Sequence, residues 1–366
     1  NIPSPSHHIW NRALAFGLAN KGHNITYIGP DEDELPKPQN YTHILLEGVY
    51  EGMNHNFDIN EMSTYGPLAM IMEFENWCIL QCQLNLKSKG FRKLLIYPPN
   101  FKFDLIVIDI TAGTCLYPLI QRFNYPPTVG VTPFLLPTVW NFLYTHIDIG
   151  LRYFNQYAEE HELAKKIFGE NTPSMQELER HISLVLANTD PVLDYPQPVP
   201  PNIIPVGGLH TRKSKQIPHD LQTVLDNAKN GVIIFSLGTN VRSDKLGKEM
   251  QTEILDAFSK IRETVIWKFE SKIENLPKNV IVRKWLPQND ILGHPNVKLF
   301  IGHGGALSTQ ETIFHGVPMI AIPFIVDQHI NTKLIVKKQI GVHVEFRHIT
   351  SNYLLNKIRE VLDNSV

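Results

Sequence analysis

The reading turns on residues 285–328, WLPQNDILGHPNVKLFIGHGGALSTQETIFHGVPMIAIPFIVDQ. Within it VKLFIG (297–302) is a short apolar run of the kind a buried parallel strand needs. The run ends in His303-Gly304-Gly305, and Ala306 to Phe314 can wind as a helix, with Gly316 and Pro318 as stop signals. A strand that passes through two glycines into a helix brings backbone close to an anion and aims free N–H groups at it. Taken alone, this is equally a tight turn with no ligand. Its company argues otherwise: Trp285 lies upstream, Glu311 is inside the helix, and Asp327-Gln328 follow a second apolar strand, Met319 to Val326.

The rest of the chain alternates in the same way. A polar opening leads to His7 and His8 in a loop before a helix rich in Ala13, Leu14, Phe16 and Leu18 that stops at Gly22. Strands follow at NITYI (24–28), HILLEG (43–48), FDLIVID (103–109), PTVGV (127–131) and SLVLAN (183–188). Helices are expected over 67–86 and 113–123, and an aromatic, mostly helical stretch over 132–168. Six prolines and two glycines between 194 and 218 mark a linker. Alternation restarts with GVIIFSLGT (231–239), a helix over 248–261, TVIWKF (264–269) and VIVRKW (280–285), and ends with GVHVEF (341–346) and a helix over 351–362. This predicts mainly parallel sheets covered on both faces, in two α/β domains, 1–206 and 219–366, joined by a linker at 207–218. No strand is visible before His7, where a doubly wound fold would place one.

The chain has 366 residues, 43% of them hydrophobic and 19% charged, which suits two globular domains and excludes a disordered chain. A net charge of −2 gives no electrostatic reason for nucleic acid or an anionic membrane as a partner. Three cysteines make no disulfide framework; Cys78 and Cys82, four apart on a helix, have neither a zinc nor a redox spacing and read as buried thiols. Asn24-Ile25-Thr26 and Asn40-Tyr41-Thr42 are glycosylation triplets, which arise often by chance. No run of eighteen apolar residues occurs.

The spacing of W-x-P-Q, H-G-G, E, H-G-x-P and D-Q across 285–328 resembles the signature of the UDP-glycosyltransferases, nearest to their animal and insect branch. The resemblance implies a glycosyltransferase-B (GT-B) fold, with two Rossmann-like domains of parallel strands facing a central cleft. The N-terminal domain would bind the acceptor and the C-terminal one the UDP-sugar. Trp285 resembles the residue that stacks on uracil, Gln288 the one that contacts the nucleoside, and Glu311 the carboxylate that binds the ribose hydroxyls. His303, Gly305 and Ser308 would surround the diphosphate, with Gly238-Thr239 as a second phosphate-facing turn. Asp327 and Gln328 match the pair that holds the sugar hydroxyls. Leu307 departs from the pattern, since many relatives carry a phosphate-contacting asparagine there.

A hydroxyl acceptor needs a base, and a histidine within reach contributes roughly 10²–10⁴-fold. By chemistry alone His7 and His8 are equal candidates among sixteen histidines. The family places the catalytic histidine sixteen residues before the equivalent of His23, which selects His7 with His8 as the fallback. A carboxylate that fixes the base's tautomer is expected beside it. Asp109, at the carboxyl end of FDLIVID, matches that partner in the family; otherwise it reads as a turn or N-cap aspartate. Asp31-x-Asp33 has the form of a metal motif, but reads better as a solvated acidic loop, and no metal or other cofactor is implied.

The resemblance thus predicts an inverting, metal-independent UDP-glucosyltransferase that makes β-glucosides of small lipophilic hydroxyl compounds. Asn188 stands where glucuronosyl relatives carry an arginine, which favours UDP-glucose over UDP-glucuronic acid as co-substrate. The aromatic residues between Phe134 and Tyr157 would line the acceptor pocket. Two other readings stay open: a UDP-sugar 2-epimerase, and a non-catalytic nucleotide or lipophile binder. Relatives face the endoplasmic reticulum lumen behind a cleaved signal and end in a transmembrane helix. Neither end is seen here, so a fragment is expected, tied to the membrane only through a missing C-terminal helix, with self-association left open.

Overall fold

The computed structural model describes residues 3–33, 36–53, 64–98, 100–111, 113–134, 156–195, 199–239, 241–325 and 327–363. Trp140, Phe142, Tyr144, Tyr153 and Phe154 of the aromatic stretch therefore lie outside the described residues. The chain divides into two compact units, Asn1–His210 and Thr211–Val366.

In the second unit six strands form one sheet: β7 (Val232–Ser236), β8 (Thr264–Lys268), β9 (Val280–Arg283), β10 (Val297–Gly302), β11 (Met319–Ala321) and β12 (Gly341–His343). Their order is β12-β11-β10-β7-β8-β9 and every pairing is parallel. All five residues of β7 are buried, as covered parallel strands require. Phe235 stacks on Trp267 with centroids 5.0 Å apart. Ile234, Ile266, Phe300 and Ile335 carry no exposed surface, so helices cover the sheet.

The first unit holds a parallel pair, β1 (Ile25–Gly29) with β2 (Tyr41–Leu45), and a parallel sheet ordered β3-β4-β5-β6. These last strands are β3 (Ile106–Asp109), β4 (Thr128–Thr132), β5 (Ile182–Ala187) and β6 (Ile203–Pro205). β6 lies inside the proline-rich stretch and was not expected there. It is three residues long, at the sheet edge, where proline is tolerated.

Several expected elements are shorter. The strand after Pro318 stops at Ala321: Ile322 N–H still bonds Gly302 O at 2.8 Å, but Pro323 has no N–H to continue the ladder. The helix expected from Gly113 runs only from Pro118 to Arg122. Thr114 N–H and its hydroxyl are both captured by the Glu160 carboxylate, and Pro118 sets the first helical position. Helix α1 (Pro5–Asn20), by contrast, starts earlier than expected, so His7 and His8 lie in its first turn and not in a loop. Pro5 at the first helical position starts it, and His8 N–H already bonds Ser4 O at 3.1 Å.

The cysteine reading is corrected. Cys82, on the helix Pro67–Lys87, is joined to Cys115 after β3 with Cα atoms 5.7 Å apart, and Cys78 is the buried free thiol. Spacing along the sequence could not show a pair separated by 33 residues that the fold brings together. Replacing both Cys82 and Cys115 by alanine opens that loop, and chain-entropy arguments put the cost at about 3–4 kcal/mol. A two-probe thermal or urea melt checks this, with earlier unfolding expected in the first unit and an unchanged midpoint contradicting it.

Candidate active site

In the sheet of the second unit, successive strands β8 and β9 leave β7 on one side, and β10, β11 and β12 leave it on the other. The direction of winding therefore reverses between β7 and β10. Open α/β sheets bind ligands outside the carboxyl ends of the strands at such a reversal. Here β7 runs into Gly238-Thr239 and β10 into His303-Gly304-Gly305, so the two glycine turns lie side by side.

The two turns close around one ring. A Cβ on Gly238 would sit 2.6 Å from His303 Cε1, and one on Gly305 would overlap His303 Nε2. Gly238 and Gly304 also have φ of +81° and +77°, which side chains rarely adopt. Burial, assisted by the charge of Lys268, pushes the pKa of His303 down to about 4. The ring is thus neutral near pH 7, when one of its nitrogens donates a hydrogen bond. Directly after it the helix Ala306–His315 begins with no side-chain cap on its N-terminus. The helix ends in a left-handed Gly316, as its sequence requires.

Gln288, in the short helix Gln288–Leu292, reaches across to this helix. Its Nε2 donates to Glu311 Oε2 at 2.6 Å and to Ser308 Oγ at 3.1 Å. Burial pushes the Glu311 carboxyl up to about 7 against the opposing effect of the Gln288 bond. Trp285, after β9, is 55% exposed, an apolar plate open to a ligand. Asp327 precedes the helix Gln328–Lys337 without capping it, and the Gln328 side-chain carbonyl accepts from Phe324 N–H at 2.8 Å and Ile325 N–H at 3.1 Å. Gln328 therefore keeps only its amide N–H₂ for a sugar hydroxyl. Among the ten residues expected at the donor end, the structure brings together Gly238, His303 and Gly305 around one ring, and Gln288, Ser308 and Glu311 by hydrogen bonds.

The first unit holds the residues expected as base and partner, His7 and Asp109. His7 Nδ1 lies 3.7 Å from Asp109 Oδ2, both side chains buried. Burial alone would raise the Asp109 pKa; the imidazole of His7 and, less strongly, Thr111 hold it well below the usual carboxylate range, and Thr111 N–H donates to Oδ1 at 3.0 Å. Phe134 packs edge-on against the His7 ring at 5.0 Å. His8 points elsewhere: its Nδ1 meets Tyr27 Oη at 3.1 Å and its Nε2 meets Asp33 Oδ1 at 2.8 Å, so both ring nitrogens are engaged.

Two expectations fail on burial. Asp31 and Asp33 are not a solvated loop. Tyr50 donates to Asp31 at 2.5 Å, while His8, Arg12, Tyr41 and His43 surround a fully buried Asp33 carboxylate. Among the described residues no group of three or more His, Cys, Asp or Glu is placed to hold a metal ion. Asn188 is fully buried: its Nδ2 donates to Pro133 O at 2.8 Å and its Oδ1 accepts from Gly208 N–H at 3.2 Å. Both ends of its amide tie the backbone together, so its lack of charge says nothing about the donor sugar.

The family model described as "UDP-glucoronosyl and UDP-glucosyl transferase" matches residues 137–366. The chain belongs to that family. It is 29% identical to UDP-glucosyltransferase 2 of Dactylopius coccus, over 98% of this chain and 76% of the relative. It is 28% identical to UDP-glucuronosyltransferase 3A1 of Xenopus laevis, over 98% and 76%. Its fold matches the crystal structure of the glycotransferase of kitacinnamycin with a TM-score of 0.65, covering 99% of this chain and 89% of that one at 17% identity. This UDP-glycosyltransferase therefore has the GT-B fold, with two Rossmann-like domains of parallel strands.

Several residues around the site were not read from the sequence. Asn11 donates to Asp109 Oδ2 at 3.0 Å. Asn331 gives one side-chain N–H to Gly304 O at 2.9 Å and the other to Asp327 Oδ2 at 2.8 Å, tying the glycine turn to the Asp327 carboxylate. Arg212 forks onto Asp290 and accepts from Asn289 at its carbonyl, fixing the short helix that carries Gln288. The one available signal was spacing: Asn11 and Asn331 each follow a predicted site residue by four positions on a helix.

The raised Glu311 pKa gives a signed expectation. Two ribose hydroxyls need an ionised carboxylate to accept both, and a carboxyl titrating near 7 is mostly protonated at pH 6. Affinity for UDP-glucose, whose diphosphate stays ionised, should tighten by about 10-fold between pH 6 and pH 8. Calorimetric titration at several pH values checks this. Glu311→Gln should bind weakly with a flat profile, and an unchanged slope in that variant would exclude Glu311 as its source.

Proposed function

We propose that the protein moves glucose from UDP-glucose to a hydroxyl of a small lipophilic acceptor, with inversion to a β-glucoside. The observation that carries this reading is the uncapped helix start beside two glycine turns at the reversal of the six-stranded sheet, with the Gln288–Ser308–Glu311 set next to it. Backbone N–H groups and the neutral His303 would hold the diphosphate, Trp285 would stack on uracil, and Glu311 would take the ribose hydroxyls. His7, oriented by Asp109, accepts the acceptor proton as the oxygen attacks the anomeric carbon. The C1–O bond to the diphosphate breaks on the opposite face, and its electron pair leaves with UDP. Donors aimed at that developing charge contribute on the order of 3–4 kcal/mol each.

Glucose is carried over from a relative named a UDP-glucosyltransferase, 29% identical over 98% of this chain and 76% of its own length; a relative named a UDP-glucuronosyltransferase matches at 28% with the same coverage, so both donors enter the assay below. The apolar face of Phe134 against His7 supports a lipophilic acceptor.

A lumenal site of action in the endoplasmic reticulum is proposed with it. The Cys82–Cys115 bond suits an oxidising compartment, where such bonds persist. No helix among the described residues is long and apolar enough to cross a membrane. In that compartment Asn24, exposed before β1, is the triplet expected to carry a glycan. The amide nitrogen of Asn40 already donates to Ala19 O and His23 O. Peptide mass mapping after secretory expression checks this, and a glycan on Asn40 alone would contradict it.

The function is tested by mass spectrometry of reactions with UDP-glucose or UDP-glucuronic acid and a panel of phenols. A hexose adduct plus free UDP is expected, whereas a changed sugar on intact nucleotide would indicate epimerisation. His7→Ala should lose at least about 100-fold in turnover while still binding UDP-glucose. Full turnover by His7→Ala would overturn the assignment of the base.

A further inference from the structure

We propose that Asn11 is a positioning residue for the transfer reaction, sharing one oxygen of Asp109 with His7 and setting how closely the two approach. The proposal rests on the reading of His7 as the base. Helix α1 presents two pairs at the same i,i+4 spacing, one residue apart, and each pair grips one buried carboxylate. His8 and Arg12 hold Asp33 Oδ1, at 2.8 and 3.3 Å. His7 and Asn11 face Asp109 Oδ2, at 3.7 and 3.0 Å.

Asn11 makes a full hydrogen bond to Oδ2, and His7, addressing the same atom, stands beyond hydrogen-bond range. Oδ1 is taken by Thr111 N–H at 3.0 Å, and the Thr111 hydroxyl bonds Thr132 Oγ1 at 3.1 Å. Both carboxylate oxygens are therefore pinned by neutral donors before His7 is counted. A neutral amide keeps Asp109 oriented and ionised without adding a charge of its own. It also competes with His7 for that oxygen, where a tight pairing would favour the imidazolium.

Of the other titratable groups packed near α1, Asp31 also acts on His7 through its charge. Tyr27 from β1 meets His8. Tyr41 and His43 from β2 meet Asp33, and Tyr50 meets Asp31. Phe134, against His7, is uncharged.

Asn11→Leu keeps the volume and removes the donor. The expectation is a fall in kcat of about 10-fold or more, a KM for UDP-glucose within twofold of the parent, and a larger loss at low than at high pH. The acid limb of the kcat/KM profile moves upward, because His7 becomes the principal donor to Oδ2. In a His7→Ala background the same change should add nothing. A uniform loss with the limb unmoved, or no loss at all, overturns the proposal. If His7→Ala is itself fully active, it is the assignment of the base that fails. Should Asn11→Leu not fold by circular dichroism, Asn11→Ser, too short to reach Oδ2, carries the same expectations.

Discussion

Two stretches of backbone approach the His303 ring so closely that neither can carry a side chain there. Gly238 ends one strand and Gly305 opens one helix, and both close on the same imidazole. That approach is possible only because β7 and β10 are parallel neighbours at the point where the sheet reverses its winding. The register of two strands thereby decides where the amino-terminal turn of a helix is presented. Gln288, Ser308 and Glu311 sit on elements fixed by the same pair of strands. The donor end is in this sense a consequence of sheet order more than of any one side chain.

In the first unit the constraint is a helix held by two buried acids. Asp33 anchors α1 through His8 and Arg12, and this turns the neighbouring face, with His7 and Asn11, toward Asp109. A doublet of histidines that looked interchangeable is thus given different surroundings by 100° of helix rotation. One imidazole has both nitrogens engaged, and the other keeps its ring against Asp109 and Phe134. Pro5, by starting the helix ahead of the doublet, makes that division possible.

The fold was legible because β7 and β10 are continuous apolar runs and glycines mark their ends. Element ends were less so. Pro323 cut one strand short, and Glu160 captured Thr114 where a helix had been expected to begin. What sequence could not show was burial brought about by distant residues. Asp31 and Asp33 look like a solvated loop until Tyr50, Tyr41 and His43 close over them. Asn188 looks like a selectivity position until both ends of its amide are found on the backbone just after β4 and just after β6. Cys82 and Cys115 look unrelated until β3 carries the second to the helix bearing the first. Asn11 and Asn331 were hidden for a different reason: an asparagine four residues from a site residue offers only its spacing until its carboxylate partner is placed.

The central claim is that a nucleoside diphosphate docks on the amino-terminal tip of the helix Ala306–His315, between the turns at 238–239 and 303–305. Amide hydrogen exchange of the full chain with and without UDP tests this most directly. The account predicts new protection at Gly238, Thr239 and Gly305 through Ser308, together with quenching of the Trp285 indole. UDP binding that leaves those amides and that indole unchanged would contradict it.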